Sequence, residues 1–180
     1  MNNTFEKVCI VGLGLIGGSI GLAIKRSNIS NQITGYARSN STLERAIELG
    51  LVDSVKDNLE EAVNNSDLVI LATPLSTFRE LVEEMSPFLK KGCIITDTGS
   101  AKLSVIEELK GILPNGIEFV PGHPIAGTEE SGPDAGFAEL FDNRWCILTP
   151  TEDNSSNAVD LVKGFWESIG SKVEIMDPMH

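Results

Sequence analysis

The chain has 180 residues, with 14 Lys plus Arg against 26 Asp plus Glu and a formal net charge of −12. Its 41% apolar, 22% charged and 6% aromatic content is that of a soluble globular protein, which excludes wholesale disorder, a collagen-type repeat and a disulfide scaffold. The acidic balance argues against nucleic acid as a partner, because phosphate backbones need clustered Lys and Arg.

Taken in chain order, apolar runs at 8–11, 33–36, 68–72, 93–96, 117–120, 146–148 and 173–176 read as strands. Several are continuous rather than alternating, as in strands covered on both faces. Between them, residues 16–25, 42–49, 59–64, 77–89, 103–113 and 158–169 carry helical spacing, and another helix is expected near 133–140. Gly50 and Gly92 fall where helices should end. Strands alternating with helices imply right-handed crossovers and a doubly wound, mainly parallel sheet in a three-layer αβα arrangement. One such α/β domain accounts for residues 1–180.

The uncharged run 8–24 has the length of a short membrane segment, but five of its 17 residues are glycine and no basic stretch precedes it. A buried strand followed by a glycine-lined turn explains it better, so no membrane partner and a cytoplasmic location are expected. Cys9, Cys93 and Cys146 lie far apart in apolar runs without a C-x-x-C pair, and there are only two histidines. Buried free thiols in a reducing compartment, and no metal site, are the consequent expectations.

Directly after the first strand stands Gly12-Leu13-Gly14-Leu15-Ile16-Gly17, a G-x-G-x-x-G that opens a helix. In such a loop the first glycine permits the tight turn, the second lets a pyrophosphate approach the backbone, and the third lets helix and strand pack closely. The helix start adds free N–H groups and a partial positive charge. An acid about 20 residues on would hold the ribose hydroxyls of NAD and repel the 2′-phosphate of NADP. That place holds Ala37, followed by Arg38 and Ser39. The cofactor is therefore expected to be NAD or NADP, with a lean to NADP; the alternative is Arg38 stacking on adenine or pointing to solvent.

Three more loops leave the carboxyl edge of the expected sheet, where ligands of such folds bind. The first holds Thr73 and Pro74. The second is Thr96-Asp97-Thr98-Gly99-Ser100-Ala101-Lys102, which sets hydroxyls including that of Ser100, the Asp97 carboxylate and the Lys102 ammonium beside the expected nicotinamide; Asp97 and Ser100 could equally be turn and cap residues. The third runs Gly122-His123-Pro124-Ile125-Ala126-Gly127-Thr128-Glu129-Glu130-Ser131-Gly132. His123 can accept a proton near neutral pH, as an alcohol oxidation requires. Thr128 and Glu129 could hydrogen-bond a polar substrate or cap a helix.

Together the segments 12–19, 96–102 and 122–132 resemble the prephenate/arogenate (cyclohexadienyl) dehydrogenase family, over a stretch from about residue 7 to the C-terminus. The resemblance implies a Rossmann-like dinucleotide-binding domain and NAD(P)-dependent oxidative decarboxylation of prephenate or arogenate on the route to tyrosine. It implies that His123 accepts the hydroxyl proton as hydride leaves ring C4, that Ser100 bridges histidine, hydroxyl and nicotinamide, and that Thr128 and Glu129 line the substrate entrance. Family enzymes continue into a helical domain that dimerises and supplies a substrate-binding arginine. This chain ends at His180, so weak or absent turnover is expected, with a homodimer for the longer enzyme. Two rivals remain. A β-hydroxyacid dehydrogenase or imine reductase would share the cofactor loop, but the His123 segment argues against it; a non-catalytic dinucleotide sensor would need neither Ser100 nor His123.

Overall fold

The computed structural model describes residues 4–179. Six parallel strands form the main sheet: β1 (Phe5–Val11), β2 (Ser30–Tyr36), β3 (Ser54–Lys56), β4 (Leu68–Leu71), β5 (Ile94–Asp97) and β6 (Glu118–Val120). Their spatial order is β3-β2-β1-β4-β5-β6, so the winding reverses between β1 and β4. That order is the doubly wound Rossmann arrangement, in which ligands bind at the reversal, beyond the strands' carboxyl ends.

The period-two geometry of strands explains the continuous apolar runs. Val8 and Ile10 of β1, with Leu68 and Ile70 of β4, enter one core layer. Cys9 and Val11, with Val69 and Leu71, enter the other. Helices α1 (Leu15–Ser27), α2 (Asn40–Glu48) and α6 (Ser156–Ser168) cover the first layer, and α3 (Leu59–Val63), α4 (Phe78–Met85) and α5 (Lys102–Leu109) cover the second. Local chemistry sets their bounds. Ser39, Asn58 and Ser155 cap α2, α3 and α6 by accepting the N–H of Thr42, Glu61 and Ala158, while Asn28 ends α1 in the left-handed region. The expected helix over 77–89 is shorter, because Pro87 turns its last residues into a 3-10 segment.

Two sequence expectations are corrected. The strands β8 (Trp145–Leu148) and β9 (Lys172–Ile175) do not extend the main sheet; they form a second, three-stranded sheet with β7 (Gly122–Pro124). β7 pairs antiparallel with β8, which pairs parallel with β9. β7 escaped notice because a three-residue strand ending in proline, with a glycine at its start, carries no strand signal. The helix expected near 133–140 is a single 3-10 turn, Pro133–Ala135, since Gly132 and Gly136 flank it. Among the described residues no helix is long and apolar enough to cross a membrane.

Candidate functional site

The three glycines of the G-x-G-x-x-G divide into two that hold the loop together and one that leaves room. Gly12 ends β1 with φ +102° and donates its N–H to Tyr36 O at 2.8 Å; a Cβ there would stand 2.7 Å from the carbonyl oxygen of Ala72. A Cβ on Gly17 would collide with the carbonyl oxygen of Gly12, which is the close contact of helix on strand. Around Gly14, by contrast, a Cβ would meet nothing within 4 Å. α1 begins at Gly14 with no side-chain cap, and its first N–H groups have no partner within the helix. Leu15 and Ile16 pack their side chains against the core. An uncapped helix start with open space before it fits a diphosphate.

On one side of this loop lies a cavity of about 370 Å³ lined by Gly12, Tyr36, Ala37, Arg38, Ser39, Thr42, Thr73, Pro74, Thr77 and Leu81. It brings together five residues singled out from sequence: Gly12, Arg38, Ser39, Thr73 and Pro74. Thr73 and Thr77 bond through their hydroxyls at 2.8 Å, which fixes that wall. Ser39 is occupied as the α2 cap and by Ser41 Oγ at 2.7 Å. Arg38 reaches across to α4, where its Nη2 stands 3.6 Å from Glu80 Oε2. Tyr36 at the β2 end, and Thr42, Thr77 and Leu81 on helical segments, were not foreseen, since apolar and hydroxyl residues in such places read as packing or capping.

On the other side, a buried charge pair organises the His123 strand. Asp97, at the end of β5, is fully buried and Lys102, first residue of α5, nearly so. One oxygen of Asp97 accepts from the Lys102 ammonium and from Gly99 N at 2.9 Å; the other accepts from Gly122 N at 3.0 Å. Lys102 Nζ also donates to Gly122 O at 2.7 Å. Both polar groups of one residue's backbone are thus held by one ion pair. Gly122 sits tightly: a Cβ would lie 3.0 Å from Asp97 O and 3.2 Å from Thr96 Oγ1, so these neighbours would have to give way by a few tenths of an ångström. Burial raises the Asp97 carboxyl and lowers the Lys102 ammonium, and their mutual attraction opposes both movements.

His123, next in the chain, is half-buried and pairs with Ile147 of β8. Its pKa lies below the ordinary imidazole value of 6.5, first through burial and then through the positive charge of Lys102, with Asp97 acting the other way. The ring is therefore a neutral proton acceptor at neutral pH. Ser100 is exposed on the turn between Asp97 and Lys102, on the loop that grips the His123 strand. The sequence offered this carboxylate and ammonium as candidates beside the nicotinamide; the structure has both buried, with Gly122 as their partner. A carboxylate ending an apolar strand, with a lysine five residues on, was the available signal.

Thr128 and Glu129 stand apart from this cluster, on an exposed stretch between Gly127 and Gly132. Thr128 Oγ1 accepts the N–H of Glu130 at 3.1 Å, the local turn bond that its residue type favours. The chain beyond Gly132 is pinned to the cofactor-side helices. Arg45 of α2 grips Asp134 with Nε and Nη2, and Ser19 of α1 accepts Phe137 N at 3.0 Å. The three cysteines are buried and free, and burial pushes each thiol up to about 12. They are inert packing groups.

This geometry agrees with comparisons to known proteins. The family model "Prephenate dehydrogenase, nucleotide-binding domain" matches residues 20–175. The chain belongs to this family. The cyclohexadienyl dehydrogenase of Zymomonas mobilis is 43% identical over 176 residues, covering 98% of this chain and 60% of the relative. The prephenate dehydrogenase of Bacillus subtilis is 35% identical and is covered over 48% of its length. A solved prephenate dehydrogenase from A. aeolicus, in complex with hydroxyphenyl propionate and NAD+, superposes with a TM-score of 0.92 at 35% identity, over 99% of this chain and 62% of that one. The chain thus spans about half to three-fifths of the length of these prephenate dehydrogenase relatives.

Proposed function

We propose that this chain carries the dinucleotide cradle and the proton-accepting histidine of an NAD(P)-dependent prephenate or arogenate dehydrogenase. The observation that carries this reading is the His123 strand. A half-buried imidazole disposed to stay neutral follows Gly122, whose backbone Asp97 and Lys102 hold, at the same sheet edge as a glycine loop whose Gly14 faces open space. The names of the relatives and the NAD+ in the solved relative support it.

On this reading the backbone N–H groups of Leu15, Ile16 and Gly17 hold the diphosphate, with Gly12 making the turn and Gly14 giving it access. Arg38, Ser39, Thr73 and Pro74 border the adenosine, and Ser100 meets the nicotinamide end. A bound nicotinamide would supply the acceptor for a hydride from C4 of the substrate ring. His123 takes the proton of the hydroxyl on that carbon, aided by the Ser100 hydroxyl, which orients it. Departure of the C1 carboxylate as carbon dioxide completes an aromatic ring, as a step toward tyrosine requires. Thr128 and Glu129 line the entrance. Ala37 in place of a ribose-binding acid, with Arg38 beside it, favours NADP or use of both cofactors.

Ser100, Thr128 and Glu129 are open to solvent, so residues 1–180 by themselves turn over weakly, and the longer enzyme works as a homodimer in the cytoplasm, where buried free thiols persist. The test is a hybrid in which these residues replace the matching segment of the Zymomonas mobilis relative. Nicotinamide reduction is followed with prephenate and with arogenate, each with NAD and NADP. Reduction should occur with at least one substrate and vanish in His123→Asn while dinucleotide binding persists. No reduction with either substrate sinks the reading.

A further inference from the structure

We propose that Glu80, on a different element from the glycine loop and the β2 end, sets the discrimination between phosphorylated and unphosphorylated dinucleotides by competing with a 2′-phosphate for Arg38. This rests on the reading of the 370 Å³ cavity as the adenosine end of a dinucleotide site. Arg38 and Ser39 line that cavity together with Thr77 and Leu81 of the α4 region. Glu80 precedes Leu81 on α4 and is placed beside the cavity by its contact with Arg38. Its carboxylate and the Arg38 guanidinium meet at 3.6 Å with side chains 75% and 61% exposed.

At that distance and exposure the contact is coulombic and loosely held, and such surface pairs hold their partners weakly. Arg38 is therefore free to turn to a phosphate dianion, which a guanidinium grips through two charge-assisted hydrogen bonds. Glu80 nevertheless stays beside the place that phosphate would take, and like charges at short range oppose binding. The other candidate ligand, Ser39, is a neutral hydroxyl that already accepts from Thr42 N and pairs with Ser41 Oγ, so it adds no charge to the attraction. Arg38 thus carries most of the attraction for a 2′-phosphate and Glu80 most of the opposition. Ala37 offers no acid from β2. The negative charge that would disfavour the phosphorylated ribose comes instead from α4, through Glu80.

The experiment is equilibrium titration of the 180-residue chain with NAD and NADP at low and high salt, for the unaltered chain, Glu80→Gln, Glu80→Lys and Arg38→Ala. Glu80→Gln should lower the Kd for NADP by about fivefold at low salt, as one exposed charge interaction allows, and leave that for NAD within about twofold. Glu80→Lys should go further in the same direction, Arg38→Ala should weaken NADP alone, and all three differences should shrink as salt screens them. An unchanged NADP-to-NAD ratio in Glu80→Gln, with both nucleotides bound, overturns the inference alone. Failure of the unaltered chain to bind either nucleotide overturns the dinucleotide reading and this inference with it.

Discussion

Asp97 and Lys102 hold the backbone of Gly122 from both sides: the carboxylate takes its N–H at 3.0 Å and the ammonium donates to its carbonyl at 2.7 Å. Their own contact is buried, and Gly99 N completes the carboxylate's bonding. Such a pair gains little over apolar replacements, yet losing one member leaves a charge stranded in a dry site. Its value here is geometric, since it ties the end of β5 and the start of α5 to the strand bearing His123.

Lys102→Met should therefore destabilise the chain by about 3–5 kcal/mol, because Asp97 is left without its counter-charge. Urea denaturation measures this. The double variant Asp97→Asn/Lys102→Met should recover a substantial part of the loss, since no unpaired charge remains. Equal destabilisation in the single and double variants would show that the pair acts through packing rather than charge.

The disposition of His123 sets the acid limb of activity. A lowered pKa means that the neutral base persists to lower pH, so in the hybrid enzyme kcat/KM should hold from neutrality down past 6.5 and fall only below it. Lys102 depresses this pKa more than Asp97 raises it. In the double variant the acid limb should consequently move up in pH. A limb at or above 6.5 in the unaltered enzyme counts against His123 as the base.

The glycine loop offers a contrast between stability and binding. Gly17→Ala places a methyl against the Gly12 carbonyl oxygen, so α1 must shift off β1. A loss of about 1–3 kcal/mol in stability is expected, read as a lower urea midpoint. Gly14→Ala meets no atom within 4 Å and its φ of −84° suits any residue, so stability should hold. Its methyl instead enters the space before the α1 N-terminus. Dinucleotide Kd should rise at least about tenfold, as measured by fluorescence titration.

Much of the main sheet could be read from sequence because its strands are covered on both faces, and runs such as 68–71 then stay apolar without a break. The glycine loop was legible for a related reason: three glycines at that spacing after a buried strand answer one steric problem. What escaped depends on contacts distant in sequence. β3 is three half-buried residues recruited by β2, and β7 exists because Asp97 and Lys102 grip Gly122 and β8 lies alongside. No local pattern at 122–124 encodes those partners. The second sheet was missed with it, since β8 and β9 look like any buried strand until the neighbour of β8 is known. Arg38 was legible as a cation at the β2 end, but its pairing with Glu80 joins residues 42 positions apart.

The tether on the exposed stretch 126–132 is open to a separate test. Arg45 grips both oxygens of Asp134, and its hydrogen bonds hold the Asp134 carboxyl below the ordinary carboxylate range. Both groups are at the surface, so Asp134→Asn should leave the urea midpoint unchanged within error. Local opening is another matter, because the stretch ahead has Gly127 at φ +157° and Gly132 at φ +85° and few buried contacts. Cleavage after Glu129 or Glu130 by a glutamate-specific protease should be several-fold faster in Asp134→Asn than in the unaltered chain. The same loosening should accompany acidification: protection is complete above the ordinary aspartate range and is lost as pH falls through the lowered pKa of Asp134. Equal cleavage rates at neutral pH would mean that Ser19 and Arg26, which hold Phe137 and Asp142, suffice to fix the stretch without Arg45.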